Sequence, residues 1–185
     1  LVMVDDHFSQ LATSDYCDVI PPSARRWALI RSVSKLLGPD LRLAFVASDA
    51  HTAQRLRLRL APGTHWVSHL LQDAVAACLA SPEVILQLAQ AREDYARRRE
   101  LLSATLSARG IELASTGDGL NLWLPLAENS HAVALALAQR GWLVRAGESF
   151  AVDRPANGLR ITVSTIDEDS AQAFTVVLSQ VLGRR

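Results

Sequence analysis

The spacing of apolar positions changes character twice along the chain. Leu1 to Asp5 is an apolar, β-branched run too short for a helix, and reads as a strand. Residues 6–24 carry Ser, Asp, Thr and the pair Pro21-Pro22, and read as a long loop. Trp27 to Val33 and Leu41 to Ala47 read as two further strands, punctuated by Gly38-Pro39-Asp40. Three buried strands separated by loops suit the interior of a mixed α/β sheet. Helical spacing then takes over. Asp49 is placed to cap a helix from Ala50 to about Arg59, although Arg55, Arg57 and Arg59 alternate with leucines in a strand-like period. After Ala61-Pro62-Gly63, Trp66 to Leu79 has helical spacing again. Ser81-Pro82-Glu83 opens a third helix, with serine as cap and proline in the first turn. It runs to Arg109, where Gly110 stops it. Its length would be about 40 Å, enough to bridge two lobes.

Beyond Gly110 the two periods mingle. Ile111–Ala114, Gly119–Leu126, Trp142–Arg145 and Leu159–Thr165 read as strands, and Ser130–Arg140 and Asp167–Leu182 as helices. Strands with helices laid on one face make an α+β layer. The expected division is residues 1–95, part of a large domain, and 96–185, a small α+β domain, with the boundary within or after the long helix.

Composition narrows the function. With 19 basic and 19 acidic residues the net charge is zero, whereas a surface that neutralises nucleic-acid phosphates is usually strongly basic. This segment is not expected to bind DNA by itself. Cys17 and Cys78 have no paired spacing and read as reduced thiols of a cytoplasmic protein. No apolar run approaches membrane-spanning length, and no signal peptide is visible, so no membrane partner is expected. The chain opens on an apolar strand without an initiator methionine, which suggests a fragment or one domain of a longer protein. His51, His65, His69 and His131 have no acid or cysteine partners at ligand spacing and read as surface or helix residues, so no metal site is expected. Glu93 with Arg97 and Asp94 with Arg98, each at i,i+4, read as a solvated helix face.

Three places could carry chemistry. Ser32-Val-Ser34-Lys35 follows a strand and precedes Arg42. A partly desolvated lysine is a nucleophile for an aldehyde, and hydroxyls with a guanidinium suit a phosphate. On its own, so short a pattern is more often a solvated lysine and a snorkelling arginine. Asp5, at a strand end beside Asp6, could keep a ring nitrogen protonated, or could be a cap or a solvated acid. Arg160, inside Leu159-Arg-Ile-Thr-Val163, needs a partner if buried: a ligand carboxylate, or an internal Asp or Glu.

Taken in order, these features resemble the fold-type I aminotransferases that use pyridoxal 5'-phosphate. The resemblance rests on Asp5 at its strand end and on Ser32-Val-Ser-Lys-Leu-Leu-Gly-Pro-Asp-Leu-Arg-Leu-Ala-Phe. It extends through Arg92, Tyr95 and Arg97-Arg98-Arg99 to Gly119-Leu-Asn-Leu-Trp-Leu and the late Leu-Arg-Ile-Thr strand. It implies the C-terminal part of an aspartate aminotransferase-like α/β fold: the remainder of the large-domain sheet, a long interdomain helix and an α+β small domain. By that similarity Lys35 would form the internal aldimine, and Ser32, Ser34 and Arg42 would hold the phosphate. Asp5 would pair with the pyridine nitrogen, and Arg160 would clamp a carboxylate. Where relatives place a tyrosine for the cofactor's phenolic oxygen, this chain has His7, which can donate one such bond.

The Asp5-Asp6 pair and the Gly119-Leu-Asn stretch most resemble MocR-type transcription regulators, which join a winged-helix DNA reader to an aminotransferase-like domain. That implies an amino acid, amine or vitamer as effector, a homodimer, and DNA contact only through an N-terminal domain outside this chain. The alternative implied by the wider family is part of a working aminotransferase, with Lys35 also moving a proton. A truncated domain without activity of its own is the third reading.

Overall fold

The computed structural model describes residues 1–63, 66–114 and 117–183. His65 lies outside the described residues. The chain divides into two compact units, Leu1–Arg92 and Glu93–Arg185.

In the first unit β1 (Val2–Asp6), β2 (Trp27–Ser32) and β3 (Ala44–Ser48) form a mixed sheet. β1 runs parallel to β2, and β3 antiparallel to it. Helices α1 (Ala50–Leu60) and α2 (His69–Ala80) follow. Asp49 caps α1, accepting from the Thr52 and Trp27 amides at 3.1 and 2.9 Å. Hydrogen bonding to Thr52, then to Trp27, with the charge of Arg26, holds its carboxyl well below the usual carboxylate range. The cap settles the ambiguous Arg-Leu alternation in favour of a helix, because it satisfies donors at the first turn. A small core gathers Val33, Leu43 and Val75, with Leu37 and Leu41 against it.

Two expectations change here. The third strand starts at Ala44, not Leu41, because successive turn bonds occupy the preceding residues: Leu41 to Gly38, Arg42 to Asp40 and Leu43 to Leu41. Nor is β3 buried: Phe45 and Val46 are 51% and 50% exposed. An apolar run records that a strand suits a dry setting; it does not supply the element that covers it.

Helix α3 (Pro82–Ser107) begins in the first unit and ends in the second. Beyond it β4 (Asn121–Pro125), α4 (Ser130–Ala138), β5 (Arg145–Ala146), β6 (Gly158–Thr162) and α5 (Glu168–Val181) complete the second unit. The sheet is antiparallel throughout, in the order β4-β6-β5. Leu122 and Leu124 of β4 and Leu159 and Ile161 of β6 turn to one face. There they join Leu137, Phe174, Leu178 and the end of α3 in a continuous core. Asp167 and Ser170 cap α5 reciprocally.

Two expected strands are shortened for one reason. Gly110, at φ +68°, ends α3, and the Ile111 amide bonds back to the Leu106 carbonyl. Gly141, at φ +87°, ends α4, and the Trp142 amide bonds back to Leu137. In each case the apolar residue after the glycine closes the helix. Ile111–Ala114 is therefore not a strand, and of the second run only Arg145 pairs, in a strand that extends one residue past it to Ala146. The charged stretch of α3 also differs from the expected solvated face. Asp94 pairs with Arg97 at i,i+3, and Arg98 donates to the Ser164 carbonyl. Arg99 is buried, donating to the Gly119 carbonyl at 3.0 Å with Asp118 3.5 Å away.

Candidate functional site

The parallel pairing of β1 with β2 sets Asp5 opposite Ile30 and Asp6 opposite Arg31. Neighbouring acids therefore point to opposite faces. Asp6 faces inward, its side chain 7% exposed, and accepts from the Ser9 hydroxyl at 2.6 Å, the Ser9 amide at 3.0 Å and Arg31 Nε at 2.8 Å. Burial alone raises its pKa, but the bonds from Ser9 and Arg31 outweigh it and hold the carboxyl below its ordinary value. Arg31 also stacks on Tyr16, 4.9 Å from the ring centre. Asp6 is thus occupied in pinning the loop after β1. Asp5 is the opposite case. Its side chain is 64% exposed, and its Oδ1 lies 3.0 Å from His7 Nε2.

Ser32 ends β2 on the same face as Asp5 and Ile30, by the period of two along the strand. The Ser32 and Ser34 hydroxyls meet at 2.9 Å, and the Ser34 amide bonds to Ser32 Oγ at 3.3 Å. The Leu36 and Leu37 amides both return to the Val33 carbonyl, closing a tight turn that presents Lys35 outward. No carboxylate pairs with Lys35 among the described residues. Val33 bonds to the Leu43 carbonyl at 3.1 Å, tying this turn to the segment that carries the exposed Arg42. The structure thus brings Asp5 to His7 and Ser32 to Ser34, and sets Lys35 and Arg42 on either side of one backbone bridge.

Arg160 belongs to the second unit. It is half-buried on β6, opposite Trp123 of β4 and Arg145 of β5. Its guanidinium lies 4.7 Å from the centre of the Phe150 ring, and its Nε is buried with no hydrogen-bond partner among the described residues. Phe150 in turn meets Trp123 edge-on at 6.5 Å. No internal acid pairs with Arg160 among the described residues, so the internal-partner reading of this arginine is not realised. Phe150, Trp123 and Arg145 were not singled out from the sequence. Their signal was the period of two that turns Trp123 away from Leu122 and Leu124.

A family model described as aminotransferase class I and II matches residues 1–177. The chain belongs to the class I and II aminotransferase family. Among its relatives in that family is the vitamin B6 salvage pathway transcriptional repressor PtsJ of Salmonella typhimurium. The two are 51% identical over 184 residues, which is 100% of this chain and 43% of the repressor. A probable aminotransferase of Mycobacterium tuberculosis is 31% identical over 132 residues, 71% of this chain and 31% of that protein. Among solved structures, the aromatic aminotransferase of Pyrococcus horikoshii aligns with a TM-score of 0.86 at 18% identity, over 99% of this chain and 51% of that one. The α-aminoadipate aminotransferase LysN of Thermus thermophilus, complexed with N-(5'-phosphopyridoxyl)-L-leucine, aligns at 0.83 and 18% over 99% and 50%. The aminotransferase α/β fold is therefore present in its C-terminal portion, and the chain spans between about a third and about half of the length of these relatives. Members of the family bind pyridoxal phosphate. The donor set here suits that group: an unpaired amine, two adjoining hydroxyls, an exposed guanidinium and an exposed carboxylate.

Proposed function

We propose that this chain is the effector-sensing, aminotransferase-like domain of a MocR-type transcription regulator, and that it holds pyridoxal phosphate through Lys35. The observation that carries the reading is the turn after β2. There the paired Ser32 and Ser34 hydroxyls stand at the base of an outward lysine with no acid partner among the described residues. The 51% identity to a repressor along the whole of this chain, which is 43% of the repressor, supports a regulator over an enzyme. The cofactor, when bound, supplies an electrophilic carbonyl and an electron-accepting ring. Ser32, Ser34 and Arg42 bind the phosphate as donors, and Lys35 offers its amine to the carbonyl. Asp5, oriented by His7, offers a carboxylate to a protonated ring nitrogen. Arg160 takes the carboxylate of an amino-acid-like effector. Homodimer formation, a cytoplasmic location, the division near residue 95 and DNA contact through another domain belong to the same proposal.

The alternative is a part of an aminotransferase, in which Lys35 also moves a proton at the substrate α-carbon. The regulator reading predicts little turnover of amino-acid and keto-acid pairs; steady transamination by the longer parent protein would overturn it. The cofactor reading is tested by the absorbance of the chain mixed with pyridoxal phosphate, beside Lys35→Ala. A band near ~420 nm that depends on Lys35 is expected. Its absence from a sample whose circular dichroism shows it folded would remove Lys35 from the role.

A further inference from the structure

The outer face of the second unit's sheet carries two arginines side by side. Arg145 of β5 and Arg160 of β6 are register partners, so they leave the same face with Cβ atoms about 5 Å apart. Like charges directly opposite in a sheet destabilise it unless something lies between them. No acid pairs with either residue among the described residues. The nearby Glu148 is committed elsewhere: it accepts from the Ser130 hydroxyl at 2.6 Å, and that bond is the main cause of its lowered pKa.

Other inward arginines of this unit behave differently. Arg98 and Arg99 send their donors to the Ser164 and Gly119 carbonyls. Arg160 has no acceptor for its buried Nε among the described residues. Its position is nevertheless held. The guanidinium lies against Phe150, Phe150 against Trp123, and the Trp123 indole fills the space over Gly147 and Gly158. A Cβ at either glycine would stand 2.8 Å from the indole. A buried donor held in place without an acceptor marks a place for an outside acceptor.

We infer that Arg145 and Arg160 together bind a dianion, either the phosphate monoester of a small ligand or a dicarboxylate that sets one carboxylate on each guanidinium. A single carboxylate fills one guanidinium fork and leaves the opposing charge uncompensated. A dianion bridges both and neutralises both. This rests on the reading of Arg160 as the effector's anion site, and it names the class of anion. It assigns Arg145 a role that the carboxylate clamp alone does not need.

The test is a titration of the full chain, ¹⁵N-labelled and without cofactor, at constant ionic strength. The Arg Nε–H resonances are followed with inorganic phosphate, succinate and acetate. The Arg160 Nε–H signal should move downfield on saturation, and at least one dianion should bind about tenfold or more tighter than acetate. Phosphate ahead of succinate identifies a phosphate ligand, and the reverse order a dicarboxylate. Arg145→Gln, an exposed position whose loss should leave the fold intact, should weaken the dianion far more than acetate and so remove the dianion preference. Equal affinity for all three anions would overturn the inference. So would no binding by the folded chain, or an unaltered preference in Arg145→Gln. The Arg160 signal reports the sheet of the second unit and not the turn that carries Lys35, so failure of the lysine-dependent absorbance band with the dianion preference intact would count against the cofactor reading alone.

Discussion

Gly158 is the glycine of β6 over which Trp123 packs, and Gly158→Ala measures that packing. An added methyl would stand 2.6 Å from the Leu124 carbonyl oxygen and 2.8 and 2.9 Å from two indole carbons of Trp123. Attractive contact between such atoms begins at roughly 3.5 Å, so each neighbour would have to give by more than half an ångström. Neither yields readily. The carbonyl is strand backbone, and the indole is already wedged over Gly147 and against Phe150. Overpacking of this kind costs about 1–3 kcal/mol, while restricting the unfolded chain returns about 0.4–1 kcal/mol. The net expectation is a loss of about 1–2 kcal/mol. Gly117→Ala is the control, since nothing lies within 4 Å of a methyl there. It should be neutral or slightly stabilising. With a slope of about 1–3 kcal/mol per molar urea, the two variants should differ in midpoint by about 1 M, read by far-ultraviolet circular dichroism. Adding Trp123→Ala to Gly158→Ala should recover part of the loss attributable to the glycine, leaving the clash with the carbonyl. If Gly158→Ala is no less stable than Gly117→Ala, the close packing of Trp123 on this strand is wrong, and the fixed placement of Phe150 and Arg160 falls with it.

Two further outcomes follow from buried charge. Arg99→Met keeps the apolar stem but strips the Gly119 carbonyl of its donor, and should cost about 1–3 kcal/mol in urea unfolding. Asp118, 26% exposed, retains access to water, which keeps the loss below that of breaking a fully buried pair. A change under about 0.5 kcal/mol would show that Arg99 contributes packing alone. Asp6 has a folded pKa below its unfolded value, so its contribution is complete above the unfolded value of about 3.9 and fades as pH falls through the lower folded one. Asp6→Asn should therefore be less stable than the parent near neutrality, with the gap closing below about pH 4. A gap constant down to about pH 2 would mean that the Asp6 charge is not what ties Ser9 and Arg31.

The sequence alone determined the helices with explicit ends and the family. Asp49, Ser81-Pro82, Asp167 and Gly110 act through bonds to residues a turn away, so their meaning is local and survives without a fold. The aminotransferase pattern, from Asp5 through Ser32-Val-Ser-Lys to Arg160, was likewise legible, because it lies in residue types at set intervals. What pairs with what was not. That Asp6 is consumed by Ser9 and Arg31 while Asp5 stays open depends on a strand register. So does the placing of Arg145 beside Arg160. The fate of Ile111 and Trp142 depended on whether each would extend a strand or close a helix, and apolar character serves both. Likewise Arg98 and Arg99 carry the same charge as Arg97, yet they find carbonyls distant in sequence. Local chemistry is written in neighbouring residues, whereas register and burial are set by strands and helices that meet only when the chain has folded.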